Sequence, residues 1–193
     1  MLTKQIEIYT YLMVFAFIHE LGHLFTGLAL GLKPETLKIM PFGISIVFKI
    51  FRQEPKIYLK KLLIAIAGPV VNITISIIGT ILKWKTNIIY ANFLIAIFNL
   101  LPIYPLDGGR ILKSILSFNY QQSECQGIVL KVSNITIIIL TAISSILVLI
   151  LKNIGLILVI IYLWGILISE NKKYMLRKRV YNLIKKRQEH IDI

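Results

Sequence analysis

Cysteine is almost absent: Cys125 stands alone among 193 residues. No internal disulfide can hold the fold, and no thiolate cluster can bind a metal, which leaves nitrogen and oxygen as ligands. Acidic side chains are scarce, nine against 22 Lys and Arg, and there are only three histidines. The aspartates are Asp107 and Asp192 alone. Alternating polar and apolar residues, the mark of a barrel strand in a membrane, are missing. No internal repeat is visible, and no serine sits in the turn of a nucleophile elbow. The formal charge of +13 does not point to nucleic acid, because the cations flank apolar runs and fill the tail without interleaved aromatics.

What the chain has in excess is apolar surface: 56% of its residues are hydrophobic and the mean hydropathy is +0.77. That is far above a soluble domain. Several runs approach the roughly 20 residues that cross a hydrocarbon core of about 30 Å, so the expected class is an all-α membrane protein. Five transmembrane helices are expected near residues 9–32, 62–82, 88–104, 132–151 and 154–169. Gly31 and Pro34 should close the first, Gly68-Pro69 should interrupt the second, and Pro102, Pro105 and Gly108-Gly109 should break the chain after the third. Between the first two, GISIVFKIF is too short to span as a helix and reads as a strand or short hairpin. Residues 1–170 then form one membrane domain, and 171–193 a basic tail suited to an anionic inner leaflet. The opening apolar run lacks a small-residue cleavage site, so a signal peptide is not expected.

Positive charge sorts by side. The first connection carries Lys33, Lys38, Lys49, Arg52, Lys56, Lys60 and Lys61, and Arg110, Lys113 and the tail share its side. Lys4, Lys83, Lys85 and Lys152 fall opposite. The first connection and the C-terminus are therefore expected to be cytoplasmic.

The chemistry lies in HELGH, His19 to His23. Histidines four apart project from one helix face, about 6 Å apart along the axis, and can share one Zn²⁺. Glu20 sits on the flank of that face and can take a proton from water at the metal. Such a trio within an apolar span costs at least about 2.5 kcal/mol per central charge, so it is a functional hypothesis by default. A catalytic zinc takes three protein ligands. Asp107, at the helix-breaking NLLPIYPLDGGR, is the expected third; Glu124 lies in a polar loop, and His190 and Asp192 in the tail. Asn72 and Asn99 are amides within apolar spans, where they either join helices or serve the site.

With HELGH, AGPVVN around Asn72 and NLLPIYPLDGGR together, the sequence resembles the site-2 protease family of intramembrane zinc metalloproteases. Within it, the chain looks most like the sporulation branch that processes a membrane-associated pro-sigma factor. The resemblance implies one Zn²⁺ on His19, His23 and Asp107, with Glu20 as base. Asn99, Asn72 and Pro105 would support the substrate or the site. It also implies a membrane-tethered protein substrate, and small membrane proteins that hold the enzyme inactive. Two departures follow: members of this branch usually carry a helix before HExxH, and often a C-terminal nucleotide-sensing domain. Neither is expected within these 193 residues, whether the chain is a minimal member or a shortened one, so ATP regulation through such a domain is not expected. A transporter or metal-handling protein using the same His and Asp cluster is the alternative.

Overall fold

The computed structural model describes residues 2–40, 43–49, 56–151 and 155–189. The order is α1 (Leu2–Ala29), β1 (Lys33–Met40), β2 (Gly43–Lys49), α2 (Ile57–Ile81), α3 (Thr86–Leu100), α4 (Asp107–Leu116), α5 (Gln122–Leu151) and α6 (Gly155–Glu189). Four of these helices are long and apolar enough to cross a membrane, and α3 is a shorter apolar helix. Their outer faces carry large apolar side chains such as Met13, Phe25, Ile81, Ile135 and Leu149, all well exposed, as lipid-facing surface requires. The chain is a polytopic, all-α membrane protein with one small hairpin.

Each helix end has a local cause. Past Ala29 the chain turns at Gly31, whose φ of 76° is the left-handed conformation that glycine adopts without penalty. Leu32 N–H then returns to the carbonyl of Gly27 at 3.0 Å, so the first helix ends three residues before the expected position 32. GISIVFK becomes the second strand of an antiparallel hairpin, with Lys33 opposite Lys49 and Met40 opposite Gly43. The first strand, KPETLKIM, was not expected from the sequence. It fits because Pro34 disfavours helix before it, and a register shift between Pro34 and Thr36 absorbs the proline. Ile50 and Phe51 of GISIVFKIF lie outside the described residues.

Gly68-Pro69 does not interrupt α2, which continues through Pro69. Proline withholds a single donor, and neighbouring helices and polar side chains can make good that loss in a membrane. Three other bounds differ from expectation. Asp107 starts a helix of its own; α5 begins at Gln122, about a turn and a half after α4 ends; and α6 runs unbroken from the apolar segment into the basic one, ending at Glu189. At 35 residues that last helix is roughly 52 Å long, against a hydrocarbon core of about 30 Å.

The hydrophobic core beyond the site is formed by Ile103, Leu130, Ile137, Leu163 and Leu167. Ile103 comes from the irregular stretch between α3 and α4, so the loop that leads to Asp107 is pegged between α5 and α6. Ser133 on α5 fastens it further. The fully buried Ser133 hydroxyl accepts the Tyr104 N–H at 2.9 Å and donates to the carbonyl of Val129 at 2.8 Å. The peptide between Tyr104 and Pro105 is cis.

Candidate metal centre

His19 and His23 face inward from the middle of α1, each only 3% exposed. Thirteen residues separate His19 from Ile6, where the apolar span starts; at 1.5 Å per residue that is roughly 20 Å of depth. The two rings meet edge to face with centroids 4.8 Å apart. Asp107, 4% exposed, reaches them from the first turn of α4. His19 Nε2 lies 2.8 Å from Asp107 Oδ2, and His23 Nε2 lies 3.1 Å from the same oxygen. Ligand atoms of the three residues all fall within 4.8 Å of one another, and this is the group of such residues suited to a metal among the described residues.

Three close approaches shape the cradle. A Cβ on Gly68 would come within 2.4 Å of His23 Nε2 and 2.5 Å of His19 Nε2, so the absence of a side chain there leaves room for the ligand atoms. A Cβ on Gly22 would press Val71 Cγ2 at 2.9 Å, which is how α1 and α2 come close enough for Gly68 to matter. Behind Asp107, a Cβ on Gly108 would meet the Leu100 carbonyl oxygen at 2.1 Å, and one on Gly109 the Tyr104 nitrogen at 2.6 Å. The double glycine thus lets α4 start directly against the end of α3.

The imidazoles are held from behind. His19 Nδ1–H donates to Asn72 Oδ1 at 2.9 Å, and His23 Nδ1–H donates to the carbonyl of Ile64 at 2.6 Å. That carbonyl belongs to the turn of α2 preceding Pro69. These contacts test the fit of a cation. Each ring has an acceptor at both nitrogens, an amide or peptide oxygen at Nδ1 and the Asp107 carboxylate at Nε2. A neutral imidazole has one N–H and satisfies one of the two. A divalent ion between both Nε2 atoms and the carboxylate satisfies all of them, and the nitrogen and oxygen donor set suits Zn²⁺.

The other expected residues fall as follows. Glu20, half-buried, follows the first histidine on α1. Asn72 is fully buried in contact with His19. Asn99 is half-buried near the end of α3, where its side-chain N–H donates to the carbonyl of Ile95 at 3.0 Å. Pro105 is half-buried in the turn ahead of Asp107. Glu124 is apart from the cluster, in the first turn of α5, accepting from the Gln121 N–H at 3.4 Å. His190 and Asp192 lie outside the described residues.

Three participants were not singled out from the sequence. Arg110, one turn beyond Asp107, places Nη1 3.6 Å from its second oxygen, an i,i+3 pairing that the spacing could have suggested. Asn92, also fully buried, accepts from Asn72 Nδ2–H at 3.1 Å; as a third amide in an apolar run it carried the same signal as Asn72 and Asn99. Ser133 had no local signal. Further along α4, Lys113 Nζ donates to Gln126 Oε1 at 2.5 Å, and burial, then the charges of Lys61 and Arg177, push its ammonium pKa below the ordinary lysine range.

Fold and site together define a multi-pass membrane protein with a buried cluster of two histidines and an aspartate whose geometry could hold a metal ion. The model of peptidase family M50 matches residues 79–140, the segment that carries α3, Asp107 and α4. A zinc metalloprotease of Methanocaldococcus jannaschii is 36% identical over 121 residues, 56% of this chain and 34% of that protein. Stage IV sporulation protein FB of Bacillus subtilis is 26% identical over 142 residues, 69% of this chain and 48% of that protein. The solved structure of a site-2 protease from Methanocaldococcus jannaschii superposes with a TM-score of 0.64 at 28% identity, covering 84% of this chain and 76% of that one. The chain is therefore similar, in sequence over this segment and in fold over most of its length, to peptidase family M50, whose relatives here are zinc metalloproteases and a site-2 protease. It spans about a third of the length of the archaeal relative and just under half of the sporulation protein.

Proposed function

We propose that this chain is an intramembrane zinc endopeptidase that cleaves a membrane-tethered regulatory protein within or next to the bilayer. The observation that carries the reading is the convergence of His19 Nε2 and His23 Nε2 on one oxygen of Asp107, at 2.8 and 3.1 Å, midway along an apolar helix. His19, His23 and Asp107 would hold the zinc, with Glu20 beside them. When bound, the ion would polarise the scissile carbonyl and bring the pKa of water down toward about 7. Glu20 takes the proton of the attacking water and returns it to the leaving amine. Asn72 and the Ile64 carbonyl keep both rings turned toward the ion. The Asn99 N–H not engaged by Ile95 holds the substrate backbone or the developing oxyanion, and Pro105 shapes the turn that presents Asp107.

A helical substrate keeps its carbonyls bonded within its own turns, so the segment to be cut must be unwound and held extended. The β1–β2 hairpin suits that task, because a two-stranded sheet leaves backbone donors and acceptors along its edges to which a strand can add. A pro-sigma factor is the substrate that the likeness to the sporulation branch suggests, with small membrane proteins as restraining partners. The surplus of cations on the α1–α2 connection and on the end of α6 supports a cytoplasmic location for both. The ion pair of Lys85 Nζ with Glu7 at 3.3 Å supports this arrangement, since it brings the start of α1 beside the α2–α3 turn on the opposite, cation-poor side. A metal transporter built on the same cluster would carry several ion-binding groups spaced along a path; among the described residues one group of His and Asp side chains is placed to hold an ion.

The test is co-expression of a membrane-tethered candidate substrate with the wild type and with Glu20→Gln. Loss of one base lowers cleavage by about 10²- to 10⁴-fold, while metal analysis of the purified variant should still find one zinc per chain. Normal cleavage by Glu20→Gln would remove that residue from the role of base.

A further inference from the structure

Behind His19 the hydrogen bonds form a directed chain. Asn92 Nδ2–H donates to the carbonyl of Ile88 at 2.9 Å; Asn92 Oδ1 accepts from Asn72 Nδ2–H at 3.1 Å; Asn72 Oδ1 accepts from His19 Nδ1–H at 2.9 Å. Both asparagines are fully buried, so no water can substitute for a partner that turns away.

The direction of this chain matters because an asparagine amide can rotate by half a turn with little change of shape, exchanging its donor and acceptor ends. With Asn72 reversed, an N–H would face His19 Nδ1. That nitrogen would then need its lone pair there, and the proton would sit on Nε2, the atom that faces Asp107. A protonated nitrogen cannot bind a metal. The Ile88 carbonyl can only accept, so it fixes the amide of Asn92 with nitrogen toward α3's own backbone and oxygen toward Asn72. The Phe15 carbonyl adds a longer contact to Asn72 Nδ2 at 3.5 Å with the same polarity.

We infer that Asn92 is a positioning residue for the metal site: anchored on the Ile88 carbonyl, it sets the orientation of Asn72, which fixes the tautomer of His19 and keeps Nε2 available to the ion. This rests on the metal reading above and adds to it a residue that touches neither metal nor substrate. Partners behind a histidine ligand typically alter metal affinity by about 10- to 100-fold, and Asn92, one partner further out, belongs at the lower end.

The experiment uses the full chain purified in detergent, stripped of metal and titrated with zinc against a competing chelator. Asn92→Leu, close in size and without an acceptor, should weaken zinc binding by about tenfold. Asn92→Asp presents an oxygen to Asn72 whether or not it is protonated, and should bind zinc clearly more tightly than Asn92→Leu. Thermal melting of the zinc-free proteins is measured alongside. Equal zinc affinity in wild type and Asn92→Leu overturns the inference. So do variants that lose stability while the Leu and Asp substitutions remain equal in zinc affinity, since that is what a packing role produces. If Asn92→Leu does not fold, Asn92→Ala against Asn92→Asp reads the same contrast. A wild type that binds no zinc sinks the metal reading itself, and the inference with it.

Discussion

Removing the carboxylate at position 107 is the most direct test of the site at the scale of single residues. Asp107→Ala should reduce bound zinc well below one ion per chain, measured on the purified protein; unchanged stoichiometry would take Asp107 out of the ligand set. Gly68 gives a second test in which two effects oppose each other. In an ordinary helix, Gly→Ala gains about 1 kcal/mol of propensity. Here the added methyl would lie 2.4 Å from His23 Nε2, so one ring must move away from the ion position. Gly68→Ala is therefore expected to weaken zinc binding by at least about tenfold, the scale on which small displacements around a ligand act. A variant that is more stable and binds zinc normally would show that the gap at Gly68 serves no purpose in the cradle. HELGH was legible from the sequence because both histidines are on one helix, where spacing alone decides which face they share. Gly68 was legible only as a feature of α2, since nothing local says which side chains from α1 will lie against it.

Between elements, the placement of Asp107 depends on how the stretch from Leu101 to Leu106 is fastened. Ile103 anchors it in the core formed with α5 and α6, and Ser133 receives the Tyr104 N–H. Ser133→Ala leaves a buried peptide N–H without that acceptor, at a cost of about 1–3 kcal/mol. Denaturation of the zinc-free protein should show the loss, and a variant as stable as wild type would mean the loop is held by Ile103 alone. The sequence announced this break, since prolines at 102 and 105 remove donors and Gly108-Gly109 permits close approach. It did not announce the short helix that begins at Asp107. A helix N-terminus accepts an acidic residue readily, but the apolar content of DGGRILKSIL is too low for a span and too short for a confident periodicity.

Across the whole molecule, the distribution of charge makes an orientation testable. The native Cys125 is fully buried, so it should stay silent to a membrane-impermeant maleimide. Cysteines placed singly at Thr86 and Lys178, both exposed, should report opposite sides: reagent added outside intact cells should label Thr86→Cys and leave Lys178→Cys unlabelled. The reverse pattern would invert the assignment. The long α6 bears on the same question. Its apolar first part and basic second part are one continuous helix, so the end that carries Lys172, Lys173, Arg177, Lys178 and Arg179 extends past the hydrocarbon instead of hanging as an unstructured tail.

Membrane residence, the approximate spans and a two-histidine face with a carboxylate beside it were fixed by the amino-acid order, because hydropathy and helical period act over a few neighbouring residues. The partners of those histidines were decided by tertiary structure. Asp107 meets His19 across 88 residues of chain, Ile64 meets His23 across 41, and Asn72 joins His19 across 53 and Asn92 across 20. Contacts of that kind form only when α1, α2, α3 and the start of α4 are packed together. Buried polar groups in a bilayer must find partners there, since no solvent is present to satisfy them.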